Sequence, residues 1–127
     1  MAVRQPGSAF KPFVYVTALQ KDMTPDTVME DKPVTYGGWS PKNAEGGNMG
    51  SMTLRTALAL SVNTIAVQLA DEVGARNIIS TAKKMGISTL VEKGSPNDDN
   101  LAIALGGLTR GVIPLEMASA YGTFANK

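Results

Sequence analysis

The sequence of 127 residues contains neither cysteine nor histidine. Without cysteine there are no disulfides, thiolate metal ligands or cysteine nucleophiles. Without histidine there is no Ser-His-Asp triad and no imidazole ligand for a metal. We therefore expect no metal and no cofactor, and any acid–base chemistry must use lysine, aspartate, glutamate or tyrosine.

A strong charge of either sign is also absent, because 12 lysine and arginine residues are balanced by 11 aspartate and glutamate residues. The net charge of +1 provides no field that would attract nucleic acid or an anionic membrane surface. The longest weakly polar run, Ala57 to Ala70, is too short and too polar to span a bilayer. We predict one folded unit with no nucleic-acid partner and no membrane-spanning segment.

The spacing of apolar residues predicts five helices joined by segments rich in glycine and proline. The first begins close to Ser8, since Pro12 is tolerated only in a first turn, and ends near Gln20 to Asp22. The others are expected over 54–60, with Thr53 as N-cap, over 64–73 and 76–85, and from Pro114 onwards. Residues 24–50 are predicted to contain little regular structure, and no turn typical of a β-hairpin is present.

Ser8 and Lys11 form the first candidate catalytic pair. Residues three apart in a helix lie on one face, so the Lys11 amine can reach the Ser8 hydroxyl and act as its base. The free N–H groups at a helix N-terminus can also stabilise an oxyanion. The alternative is a capping serine beside a solvated lysine. Ser80 and Lys83 repeat the spacing inside a later helix, where we interpret them as structural.

Ser61 and Asn63, in the break between two predicted helices, form a second candidate site. A short loop there can direct a hydroxyl and a carboxamide into a common cleft. The hydroxyl can relay a proton, and the amide can bind Lys11 or a substrate carbonyl. The alternative is capping of a helix end. Ser95 and Asn97 repeat this spacing in a polar turn, so spacing alone does not decide.

Longer blocks of sequence around both pairs resemble the transpeptidase domain of class A, bifunctional penicillin-binding proteins. The resemblance extends from about Val3 to Lys127, nearly the whole chain. The blocks that carry it, in the order of the family, are Arg4–Phe13, Trp39–Asn43, Met52–Leu58 with Ser61–Asn63, Leu105–Val112 and Pro114–Ala118.

The resemblance implies a mainly α chain, the helical part of the α/β fold of penicillin-binding proteins and β-lactamases, with the central antiparallel sheet largely missing. It implies a peptidoglycan DD-transpeptidase that forms a serine acyl-enzyme from D-Ala-D-Ala and passes the acyl group to an amine of a neighbouring stem peptide. The expected partners are stem peptides and β-lactams. The parent protein is expected to be membrane-anchored, at the outer face of the bacterial cytoplasmic membrane.

By the same resemblance, Ser8 is the nucleophile and Lys11 the base for its acylation. Ser61 passes a proton to the leaving amine, and Asn63 hydrogen-bonds Lys11 or the donor peptide. The Ser8 backbone N–H is one half of the oxyanion hole, which makes Ser8 and Asn63 the expected substrate-binding residues. Asn43 is expected to fix its loop.

The third motif of the family, Lys-Thr-Gly, is absent from the sequence. In the family it supplies the carboxylate pocket and the second oxyanion N–H, and one such donor is worth about 2.7–4 kcal/mol. We interpret residues 1–127 as a partial domain, from the nucleophile helix to the helix before the missing strand. Alone, it is expected to turn over no stem peptide and to self-associate through apolar surface that the sheet would cover.

Two other interpretations fit the residues. A serine β-lactamase or a penicillin-sensing receptor has the same fold, although the blocks after Ser61 fit these proteins less well. Rapid deacylation of a β-lactam would indicate the hydrolase. A non-catalytic helical module, with serines that only cap helices, predicts that Ser8→Ala leaves labelling unchanged.

Overall fold

The computed structural model describes residues 3–44, 46–93 and 98–125 of the chain. Within these residues most of the regular structure is helical, in agreement with the predicted mainly α class, and one small sheet is present. The five predicted helices are all found. The elements in chain order are a first 3₁₀ turn (Gly7–Phe10), α1 (Lys11–Gln20), β1 (Val28–Asp31), β2 (Gly50–Thr53), α2 (Leu54–Ala59), α3 (Asn63–Val73), α4 (Ala75–Lys84), a second 3₁₀ turn (Leu101–Leu105) and α5 (Pro114–Ala125).

The first α-helix begins later than the sequence predicts. Ser8 lies in the first 3₁₀ turn, and α1 begins at Lys11 and ends at Gln20. Gly7 opens this turn with a φ of +56°, a left-handed conformation that favours glycine. Pro12 lies in the first turn of α1, where its missing N–H breaks no hydrogen bond. The 3₁₀ turn continues directly into α1, so Ser8 lies immediately before the helix.

The other helices begin and end close to their predicted positions. The Thr53 hydroxyl accepts a hydrogen bond from the Thr56 N–H at 3.2 Å, which confirms the predicted N-cap of α2. Gly74, with a φ of +89°, separates α3 from α4, and Gly86, with a φ of +107°, follows α4. Only residues 60–62 separate α2 from α3.

The two-stranded sheet corrects the prediction of little regular structure over 24–50. β1 and β2 pair antiparallel, from Val28 opposite Thr53 to Asp31 opposite Gly50. The long connection over 32–49 has no hairpin turn signal. The β1 sequence, Val-Met-Glu-Asp, does not alternate apolar and polar residues, so the pattern that indicates a strand is missing. Only Asp31 of these four residues is buried.

The hydrophobic core lies between α1, α3, α4 and the second 3₁₀ turn. The Phe10 and Phe13 rings pack together, with centroids 4.8 Å apart. The Thr17 hydroxyl donates to the Thr81 hydroxyl at 2.9 Å, which satisfies polar groups between α1 and α4. This packing holds α1, and with it Lys11, at a fixed place. The largest fully buried apolar side chains of the core include Phe10, Phe13, Val14, Ile65, Leu69, Ile78, Ile79 and Ile103.

Apolar surface remains on the outer side of α1 and α2. Tyr15, Leu19 and Leu58 line a groove of about 310 Å³ together with neighbouring residues. The Tyr15 hydroxyl is buried and has no hydrogen-bond partner among the described residues, and burial raises the pKa of Tyr15 well above its usual range. Self-association through such surface stays a prediction. No helix in the described part of the chain is long and apolar enough to cross a membrane.

Candidate active site

Lys11 is the buried cation of the site, with 1% of its surface exposed. Its Nζ donates to the Ser61 carbonyl and the Ser61 hydroxyl, both at 2.8 Å, and to Asn63 Oδ1 at 2.6 Å. These three acceptors match the three protons of an ammonium group, and none of them is charged. Burial lowers the pKa of Lys11 from 10.5 to about 8, so a larger fraction of the Lys11 amine is neutral near neutral pH.

Ser61 has a backbone conformation that is rare for serine, with a φ of +56°. Such a residue costs about 1–3 kcal/mol and is typical of functional sites. The N–H groups of Ser61 and Val62 donate to the carbonyls of Leu58 and Ala57, each at 3.0 Å, and hold the turn. This turn directs both oxygen atoms of Ser61 towards Lys11.

Asn63, the first residue of α3, connects Lys11 to the loop that precedes β2. Asn63 Oδ1 accepts from Lys11, and Asn63 Nδ2 donates to the Lys42 carbonyl at 2.8 Å. The Lys11 ammonium group donates and the Lys42 carbonyl accepts. The side-chain oxygen of Asn63 must therefore face Lys11, and its side-chain nitrogen must face Lys42. The sequence predicts that Asn63 hydrogen-bonds Lys11 or the donor peptide, and in this geometry Asn63 binds Lys11.

Ser8 lines one cleft with Ser61 and Asn63. The cleft has a volume of about 470 Å³, and residues 43, 44 and 46–49 form a further wall. Ser8 is exposed, and no hydrogen bond joins its hydroxyl to Lys11 within the described residues. The direct Ser8–Lys11 contact expected from the spacing is therefore absent here, because Lys11 donates to Ser61 and Asn63. Catalytic hydrogen bonds often tighten only when substrate binds.

A distant segment fixes the chain just before Ser8. Arg4 and Val112 exchange two backbone hydrogen bonds, of 2.8 and 2.7 Å. The Gln5 side-chain amide exchanges two more with the backbone of Leu108, both at 2.9 Å. These four bonds place residues 108–112 alongside residues 4 and 5, so the position of Ser8 depends on chain about 100 residues away.

Gly106 lies against Gly7, the residue before Ser8. A Cβ at Gly106 would lie 2.2 Å from the Gly7 carbonyl oxygen and 2.5 Å from the Gly7 nitrogen, and Gly106 has a φ of +71°. Only glycine fits there without moving the backbone. At Gly107 a Cβ would meet its nearest atom, the Ala102 carbonyl oxygen, at an ordinary 3.5 Å.

The second Ser-x-x-Lys pair has a different environment, in agreement with the structural interpretation. Ser80 is exposed within α4, and Lys83, at the end of that helix, forms an ion pair with Glu92 on the surface. Ser95 and Asn97 lie outside the described residues. No cluster of three or more possible metal ligands occurs in residues 3–44, 46–93 and 98–125.

Sequence reasoning missed Asp31, which lies behind the cleft wall. It is buried at the end of β1 and accepts two hydrogen bonds from Asn43. Asn43 also accepts from the Thr64 N–H and donates to the Gly47 carbonyl, which confirms its expected role in fixing the loop. An aspartate in a polar stretch is usually exposed, and no local pattern marks this one as buried.

Comparison with known proteins places this arrangement in a family. The family described as the penicillin binding protein transpeptidase domain matches residues 2–127. The chain belongs to the transpeptidase family of penicillin-binding proteins. Relatives named penicillin-binding protein 1A and 1F match 98% of the chain, in agreement with the resemblance found in the sequence.

The relatives are much longer than this chain. Penicillin-binding protein 1A of Neisseria meningitidis is 39% identical over 132 residues, which cover 98% of this chain and 16% of that protein. Penicillin-binding protein 1F of Bacillus subtilis is 41% identical over 126 residues, 98% of this chain and 17% of that protein. The solved structure of PonA1 from Mycobacterium tuberculosis in complex with penicillin V has 30% identity and a TM-score of 0.88, and the match covers 98% of this chain and 35% of that one.

Proposed function

We propose that this chain carries the acylation machinery of a serine-type D-Ala-D-Ala transpeptidase, with Ser8 as nucleophile and Lys11 as base. The observation that carries the proposal is the buried amine of Lys11, held by Ser61 and Asn63 at a cleft that Ser8 also lines. A lysine with a lowered pKa is the base that a chain without histidine can offer a serine.

Acylation begins when neutral Lys11 takes the proton of the Ser8 hydroxyl, and the Ser8 oxygen bonds to the carbonyl carbon of the penultimate D-Ala. The Ser8 N–H donates to the oxyanion that forms. The carbon–nitrogen bond then breaks. Ser61, whose hydroxyl lies 2.8 Å from Lys11 Nζ, passes the proton to the leaving amine of D-Ala. An amine of a neighbouring stem peptide finally attacks the ester carbon, the bond between that carbon and the Ser8 oxygen breaks, and Lys11 passes the proton lost by the amine to the Ser8 oxygen.

β-Lactams are the second ligand class of the proposed site. PonA1 of Mycobacterium tuberculosis is described in complex with penicillin V, and the match to that structure covers 98% of this chain. We infer that a β-lactam enters the cleft as a mimic of the donor peptide and acylates Ser8.

Residues 1–127 are the helical part of the α/β transpeptidase fold in this proposal, without most of the central sheet. The chain contains no Lys-Thr-Gly, so it lacks that carboxylate pocket and oxyanion donor, and we expect no turnover of stem peptide. The whole protein acts on peptidoglycan at the outer face of the cytoplasmic membrane, to which it is anchored.

The lifetime of the penicillin V adduct separates the transpeptidase from a β-lactamase of the same fold. No acidic side chain is among the described residues that line the cleft, so none of them can activate water as the glutamate of class A β-lactamases does. We expect the adduct to persist after free penicillin V is removed, measured by intact-protein mass over time. Rapid return to the unmodified mass would contradict a transpeptidase and indicate a hydrolase.

A further inference from the structure

Asp31 is a buried carboxylate without a cationic partner among the described residues, and 1% of its surface is exposed. Burying a charge is costly unless hydrogen bonds compensate it. Asp31 Oδ1 accepts from the Thr64 hydroxyl at 2.6 Å and from Asn48 Nδ2 at 3.0 Å, and Oδ2 accepts from the Met49 N–H at 2.9 Å. Asn43 Nδ2 donates to both oxygens, at 2.9 and 3.0 Å.

These donors keep Asp31 ionised. Burial alone would raise the pKa of Asp31, but the hydrogen bonds from Thr64, Asn48, Asn43 and the Met49 N–H outweigh it and hold the pKa at about 2. The carboxylate is therefore charged and acts only as an acceptor at every pH at which Lys11 can be neutral.

The residues that bind Asp31 adjoin both sides of the Lys11 site. Asn43 follows Lys42, whose carbonyl orients the Asn63 amide, and Thr64 follows Asn63 itself. The side-chain oxygen of Asn43 also accepts a hydrogen bond from the Thr64 N–H at 3.2 Å. This bond joins the segment around Asn43 directly to the start of α3. Asp31 thus fixes the two backbone segments that hold the Asn63 amide in place.

We propose that Asp31 is a positioning residue of this site, which acts through Asn43 and Thr64 to hold the Asn63 amide against the Lys11 amine and to seal that amine from water. The inference rests on the proposed function, because the amine it positions is the proposed base. Asp31 itself touches no reacting atom.

The test replaces Asp31 by asparagine, which keeps the shape and turns one acceptor oxygen into a donor facing other donors. We expect penicillin V adduct formation to slow about 10²-fold, the loss typical of a misplacement of about 1 Å. We also expect the pKa of Lys11, followed by NMR titration of its side chain, to rise from about 8 towards 10.5 as water enters. Removing a negative charge would by itself lower that pKa, so a rise identifies positioning rather than charge.

Asp26→Asn is the matched control. The Asp26 side chain is 80% exposed and pairs only loosely with Arg55, at 3.4 Å, so we expect the adduct rate and the Lys11 titration to stay unchanged. If Asp31→Asn does not fold, Thr64→Val decides, since it keeps the side-chain shape and removes only the 2.6 Å hydrogen bond. A smaller change in the same direction is then expected.

An unchanged or lowered pKa of Lys11 in a folded variant would overturn the inference. This readout does not depend on acylation. If the unaltered chain formed no adduct, the proposed function would be contradicted, while the titration of Lys11 would still show whether Asp31 positions the site.

Discussion

Replacing Lys11 by arginine is expected to slow formation of the penicillin V adduct by about 10²–10⁴-fold, the usual contribution of a general base. Arginine keeps the positive charge, but it does not give up its proton in a protein and cannot take one from Ser8. Lys11→Ala is expected to have a similar effect, because both variants remove the proposed base. Adduct formation is measured by intact-protein mass against time.

Lys83→Ala is the control for this prediction, since Lys83 has the same spacing from a serine but lies in a surface ion pair with Glu92. It is expected to leave the rate unchanged. A Lys11→Arg chain that reacts as fast as the unaltered chain would show that the charge of Lys11 matters and its basicity does not.

The same assignment predicts the pH dependence. Lys11 must be neutral to accept a proton, and burial lowers its pKa to about 8, so the rate should rise with pH around a midpoint of about 8. The stability of the chain should also depend on pH. In the unfolded chain the pKa of Lys11 is the ordinary 10.5, so between pH 8 and 10.5 the unfolded chain binds more protons than the folded chain. The contribution of Lys11 to the free energy of unfolding therefore rises with pH over this range. A rate that is independent of pH across this range would contradict the assignment.

Gly106→Ala is expected to cause the second large loss, about 10²-fold in the rate of adduct formation. The new Cβ would lie 2.2 Å from the Gly7 carbonyl oxygen, so the backbone next to Ser8 must move, and displacements of about 1 Å cost about this factor. The φ of +71° adds strain of about 1–2 kcal/mol for a residue with a side chain. The rate and the melting temperature are measured together.

Two other glycines separate displacement of Ser8 from strain alone. Gly107→Ala adds the same methyl group next to Gly106 without a close contact, and should leave the rate unchanged. Gly86→Ala introduces strain at a φ of +107° with no atom within 4 Å of the new Cβ, and should lower the melting temperature without affecting the rate. Equal rates for Gly106→Ala and Gly107→Ala would show that this contact does not position Ser8.

The local features of this chain could be predicted from its sequence. Thr53 marks a helix end by its capping hydroxyl, and Gly74 and Pro114 mark helix ends by their backbone preferences, so the helices lie close to the predicted positions. The sequence indicates Ser8 and Lys11 because they lie three positions apart, a spacing that puts two residues on one face of a helix. The resemblance to the family then distinguished them from Ser80 and Lys83, which spacing alone could not do.

The features that depend on distant residues could not be predicted. The burial of Asp31 depends on hydrogen-bond partners that lie 12 to 33 residues further along the chain. The residues next to Asp31 in the sequence do not indicate these partners. The contact of Gly106 with Gly7 joins segments 99 positions apart in the sequence. The pairing of β1 with β2 likewise depends on a long loop rather than on a turn. Each of these depends on the tertiary fold, which the local pattern does not record.

The most direct test of the central claim is the intact mass of the chain and of Ser8→Ala after incubation with penicillin V at pH 8. Ser8 lines the cleft beside a buried amine, so we expect a single adduct on the unaltered chain and none on Ser8→Ala. Ser80→Ala, the matched variant of the second Ser-x-x-Lys pair, should be labelled like the unaltered chain. An adduct that survives Ser8→Ala, or the absence of any adduct on the unaltered chain, would contradict the assignment of Ser8 as a nucleophile activated by Lys11.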